Sequence, residues 1–87
     1  MALEKHYDSE GDVLYLSVRE ASFSDAFKQR DGLLIDVDRE NKEVIGVTVL
    51  NYEEKFRKLP DLSWVRTLQL PHALTDFLTE RSAPPMD

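Results

Sequence analysis

The chain has 87 residues, no cysteine, and 17 acidic against 11 basic side chains, for a formal charge of −6. That length holds one domain with a radius of gyration of about 12 Å. The composition excludes disulfide staples and thiolate chemistry, and its net field opposes binding to phosphate backbones. Residues 1–12 lack the apolar stretch of a secretory leader, and no apolar run approaches the ~20 residues of a membrane span. The expectation is a cytoplasmic protein with neither membrane nor nucleic-acid partner. Its β-rich domain is expected over residues 1–80, with a flexible tail over 81–87 that contains Pro84-Pro85.

Along the chain, Leu3 to Tyr7 alternates, with Leu3, Lys5 and Tyr7 on one side. A polar cluster at 8–12 with one glycine follows, then Val13 to Val18, rich in strand-forming residues; together they read as a hairpin. Both faces of this second strand carry apolar residues, which suggests a central strand or a covered second face. The stretch 22–28 reads either as a strand bearing Phe23 and Phe27 or as an irregular crossing. Asp31-Gly32 is a turn signal. Leu33 to Asp38 alternates as a strand, and the polar run 39–43 makes a hairpin loop to Val44–Leu50. Within that last run Ile45, Val47 and Val49 share one face, with Val44, Gly46, Thr48 and Leu50 on the other. Gly46 marks a bulge or a close backbone approach.

Asn51 is a candidate N-cap for a short helix over 52–59, where Tyr52, Phe56 and Leu59 fall on one stripe. Lys55, Arg57 and Lys58 form the densest basic cluster, but Glu53 and Glu54 adjoin it, so it reads as a solvated helix face. Pro60 ends the helix. Residues 61–70 fit a strand or a helix, with a slight lean to an extended segment. Pro71 opens a last helix to Glu80, with Ala73, Leu74, Phe77 and Leu78 as its apolar stripe. The fold class is therefore α+β: an antiparallel β-meander of four to five strands followed by short C-terminal helices.

The chemistry-bearing residues are sparse. Asp8, Asp12, Asp36 and Asp38 are candidate ligands for a hard cation, and Asp36 and Asp38 share a strand face. The spacing fails the calcium-loop template, however, and capping of turns and hairpin ends accounts for the same residues. His6 and His72 have no partner at zinc-ligand spacing. None of the serines at 9, 17, 22, 24, 63 and 82 sits in a nucleophile elbow. The three glycines are isolated, so no phosphate-cradling loop exists. The aromatic set of Tyr7, Tyr15, Phe23, Phe27, Tyr52, Phe56, Trp64 and Phe77 has no basic surround for stacking bases. It reads as core packing or a subunit interface.

Taken in order, Tyr7-Asp8, Asp12, Leu14-Tyr15, Gly32, Asp36-Val37-Asp38, Gly46-Val47 and Val49-Leu50 resemble the Domain of Unknown Function 2283 family over residues 5 to 51. That family's pattern runs YD-x-x-x-D-x-LY, then G-x-x-x-D-x-D, then GIEIL. Thr48 stands where the pattern carries an acid. The resemblance implies a compact bacterial β-meander domain with no established activity, sometimes a partner of neighbouring small, toxin-like proteins. The expected function is non-enzymatic, acting through homodimerisation or protein–protein binding, with no cofactor. The alternatives are a metal-binding or metal-assisted site built on the four aspartates, and an antitoxin-like partner of a small basic protein.

Overall fold

The computed structural model describes residues 3–85. Five antiparallel strands form one sheet: β1 (Glu4–Asp8), β2 (Val13–Ser17), β3 (Ser24–Lys28), β4 (Leu33–Asp38) and β5 (Val44–Leu50). Their order across the sheet is β1-β2-β5-β4-β3. The expected α+β class is thus observed. The sheet is two meander pieces, a hairpin β1-β2 and a run β3-β4-β5, joined edge to edge through β2 and β5. The most apolar strand, β5, takes the middle of the sheet, between β2 and β4.

The turns follow the local chemistry. Asp31 and Gly32 both take positive φ, at 52° and 82°. Leu33 N–H donates back to the Arg30 carbonyl at 3.0 Å. This is the primed turn that Asp-Gly favours. At the other hairpin, Lys42 takes φ 64° and its N–H reaches the Asp38 carbonyl at 2.8 Å.

Pairing between β4 and β5 slips at Asp36/Val37, so Asp36 faces Gly46 while Val37 faces Val44, leaving Ile45 as the extra residue. This bulge corrects the simple alternation expected for β5: Val44 packs against the core cluster, and Ile45 is buried outside it. Gly46 is needed where β5 passes β2, because any side chain there would collide with the Leu16 carbonyl.

One face of the sheet carries Leu14, Leu16, Leu33, Ile35, Val47 and Val49, all buried. Against it pack Tyr52, Phe56, Leu62, Val65, Leu70, Leu74, Phe77 and Leu78 from the chain beyond β5. The expected helix at 52–59 is not formed. Residues 51–55 are turns and only Phe56–Lys58 is a 3-10 turn. Asn51 is not an N-cap but sits at φ 54°, reversing the chain as it leaves β5. The apolar stripe is nonetheless used: Tyr52 and Phe56 are fully buried with rings 5.9 Å apart. The lean toward an extended 61–70 is also corrected, since Ser63–Leu68 is 3-10 helix. The Asp61 carboxylate accepts the Ser63 N–H at 2.9 Å and turns the chain there, and Gln69 at φ 57° ends the segment. Helix α1 (His72–Thr79) starts after Pro71 and buries Leu74, Thr75, Phe77 and Leu78.

Beyond it, Tyr52 Oη donates to the Ser82 carbonyl at 2.6 Å, and the Arg81 guanidinium donates to the Arg57 carbonyl at 2.7 Å. The last two residues of the expected tail, 86–87, lie outside the described residues. No helix among the described residues is long and apolar enough to cross a membrane.

Candidate functional site: the open face of the sheet

The four candidate aspartates are not brought together. Asp8 caps its own turn, accepting the Glu10 and Gly11 amides at 3.2 and 3.4 Å. Asp12, at φ 56°, accepts the Tyr7 hydroxyl at 2.6 Å and the Glu53 and Glu54 amides at 2.9 and 3.0 Å. Its backbone carbonyl also takes the Tyr52 N–H at 3.0 Å. Asp12 thereby ties the β1-β2 turn to the chain leaving β5. Burial pushes its carboxyl up, but the Tyr7 hydroxyl and the two amides outweigh this and hold it below the ordinary range. The same bond pushes the Tyr7 hydroxyl up to about 12.

Asp38 caps the β4-β5 hairpin through the Glu40 amide at 2.8 Å and pairs with Arg19 at 2.9 Å. The amide and then the guanidinium hold its carboxyl low. Asp36 alone has no structural duty of this kind. It lies on the sheet face opposite the core, where its one side-chain partner is the Thr48 hydroxyl at 3.4 Å. Burial raises it, and Thr48 offsets only part of that. Among the described residues no three or more His, Asp or Glu side chains gather as a metal would require. His6 stands against Tyr15, ring centroids 5.8 Å apart, and His72 is exposed at the start of α1.

The geometry that does stand out is the second face of the sheet, which no helical segment covers. Register fixes its composition. One row across the strands runs His6, Tyr15, Thr48, Leu34, Lys28. The next runs Glu4, Ser17, Gly46, Asp36, Ala26. On the other side of the first row, Asp8, Val13 and Leu50 align. Tyr15 is 43 % exposed and Leu50 41 %, and Val13 and Leu34 are half-buried outside the core cluster. The alternation in β2 and β5 could have located this face. What it could not show was that every helical turn would fall on the other side.

A second exposed aromatic pair, Phe23 and Phe27, lies at the β3 edge, with Arg39 over the Phe23 ring at 5.8 Å. Of the aromatic set read as core or interface, Tyr52, Phe56 and Phe77 are buried, Tyr7 and Trp64 are partly so, and Tyr15, Phe23 and Phe27 remain exposed.

Fold and surface together define a small antiparallel α+β domain, clothed on one sheet face by its C-terminal turns and bare on the other. The motif residues Tyr7, Asp8, Asp12, Gly32, Asp36, Asp38 and Gly46 now each have a place in that frame. The chain belongs to the family described as Protein of unknown function (DUF2283), whose pattern matches residues 6–52. No curated protein and no solved structure matches it significantly.

Proposed function

We propose that this protein works as a non-enzymatic binding domain whose open sheet face docks another protein surface. The observation that carries this reading is the bare face itself. Tyr15 and Val13 on β2, Leu50 on β5 and Leu34 on β4 place apolar side chains around Thr48 on this face, and the chain's own helices pack on the opposite side. Isolated exposed apolar side chains are ordinary, but several grouped on adjacent strands are what interaction surfaces present. The acidic residues that could support catalysis serve turns instead: Asp8, Asp12 and Asp38 each have donors in place. The antitoxin-like alternative draws only on the net charge of −6. A cytoplasmic setting is part of the same proposal, supported by the absence of cysteine.

The test is a photo-crosslinking amino acid placed at Tyr15 and, as a control, at Glu80, in cells of the source. Protein adducts at position 15 and none at 80 are expected. Adducts that are equal at both positions, or missing at 15, overturn the docking reading.

A further inference from the structure

We infer that the occupant of the open face is a second copy of this chain, packed face to face about a two-fold axis that runs parallel to the strands over β5. This rests on the docking reading above and names its partner. The strand order supplies the first argument. With β5 in the middle of five strands, a rotation about an axis along it exchanges β1 with β3 and β2 with β4. Residues at the same register level then face one another.

On the central row Tyr15 lies over Leu34 of the partner subunit, Leu34 lies over the partner's Tyr15, and Thr48 meets its own copy on the axis. An aromatic ring on an aliphatic side chain, repeated twice by symmetry, is a self-complementary apolar contact. Leu50 meets its own copy one level along. On the adjoining row Ser17 comes over the partner's Asp36. Asp36 is a half-buried carboxylate with a single long bond to Thr48, and it gains a hydroxyl donor there. Gly46 between them, with no side chain, leaves room for the two polar groups.

Charge supplies the second argument and selects the axis. The β1 side of the open face carries Glu4 and Asp8, and the β3 side carries Lys28. An axis along β5 lays Lys28 of one copy over His6 of the partner subunit, with the partner's Glu4 and the partner's Asp8 on the adjoining levels. An axis across the strands would set Lys28 on its own copy and Glu4 on Asp8, which is repulsive at both rims. The face is roughly 24 Å by 17 Å from ordinary strand spacing and rise. That footprint, about 400 Å² a side before corrugation, is about half of a standard interface, so the pairing falls in the weak, transient class. Sheet twist turns the two copies by about 30°, so the match is tightest over β2, β5 and β4.

Because the chain has no cysteine, introduced thiols report the geometry cleanly. The experiment begins with sedimentation of the purified full chain, with a dimer of twice the 10.1 kDa chain mass expected at tens of micromolar, roughly the range of small interfaces. A monomer throughout overturns the second copy as occupant while leaving the cellular cross-link at Tyr15 to judge the docking reading separately. A short bis-maleimide then joins Thr48→Cys chains about tenfold faster than Tyr15→Cys chains, since position 48 faces itself at close range and position 15 does not. Equal rates overturn the chosen axis, and faster joining at Phe27→Cys overturns the face in favour of the β3 edge. Thr48→Glu, placed on the axis, gives a folded monomer by circular dichroism and sedimentation; a folded dimer would refute the pairing.

Discussion

Replacing Asp12 probes the tie between the two halves of the sheet. Its carboxylate receives three donors: the Tyr7 hydroxyl and the Glu53 and Glu54 amides. Hydrogen bonds to a charged group contribute about 1.5–3 kcal/mol each when buried, and less where water can substitute. Asp12 is half-buried, and the Glu54 end is exposed. Asp12→Gly removes all three bonds while remaining comfortable at φ 56°. A loss of about 2–4 kcal/mol is expected, from three partly solvated charge-assisted bonds. For a domain this small, each kcal/mol moves the melting temperature by about 4–8 °C, so Asp12→Gly melts roughly 8–32 °C lower. Tyr7→Phe loses about 1 kcal/mol, and the double variant loses less than the sum because the two share a bond.

The charge leaves a signature in pH. A carboxyl held below its unfolded value of 3.8 contributes stability that is whole above that value and is lost as pH falls through the lower folded one. Asp12→Asn therefore flattens part of the acid limb of the stability curve. Thermal melts at fixed protein concentration, together with urea unfolding across pH, measure all of this. An Asp12→Gly protein melting within a few degrees of the parent would show that the 51–55 turn is held by something else.

Three further outcomes are expected. Val47→Asp, at a fully buried position on the central strand, places an unpaired carboxylate in the core and unfolds a domain whose total stability is about 5–10 kcal/mol; circular dichroism showing a folded variant would mean the faces of β5 are assigned wrongly. Asp36→Asn raises stability at pH 7. Burial lifts this carboxyl above its unfolded 3.8, so the folded state loses stability as pH rises through that interval, and the gain from the substitution disappears below about pH 4. Calcium, magnesium and zinc are expected to bind weakly or not at all in a calorimetric titration, and stoichiometric sub-micromolar binding would revive the metal reading of the four aspartates.

What the sequence made legible was governed by how local the cause was. The bounds of β4 and β5 could be read from alternation between a polar run and an Asp-Gly turn, because each determinant lies within a few residues. β3 was ambiguous for a physical reason: Phe23 and Phe27 stay largely exposed, at 62 % and 51 %, so no buried face imposes a period on it. The stripe of Tyr52 and Phe56 correctly marked a core contact but not its backbone. The Glu53 and Glu54 amides that a helix would leave unpaired are taken by Asp12, 41 and 42 positions away. Turn-capping roles for Asp8 and Asp38 were visible from their neighbours; the long-range role of Asp12 was not. The bulge at Ile45 was announced only by Gly46.

The seam between β2 and β5 also has a kinetic meaning. Each half of the sheet closes through short turns, but residues 13–17 must find residues 46–50 across the whole intervening chain. Closing a loop of some thirty residues instead of five costs about 1.6 kcal/mol more in chain entropy. The β3-β4-β5 piece can gather before that closure, while the N-terminal hairpin gains its full reward only on docking. Substitutions that weaken the seam, such as Leu16→Ala, should therefore slow refolding in stopped-flow measurements. Those in the β1-β2 turn should mainly hasten unfolding, making the rate at which the two halves meet the clock of the folding reaction.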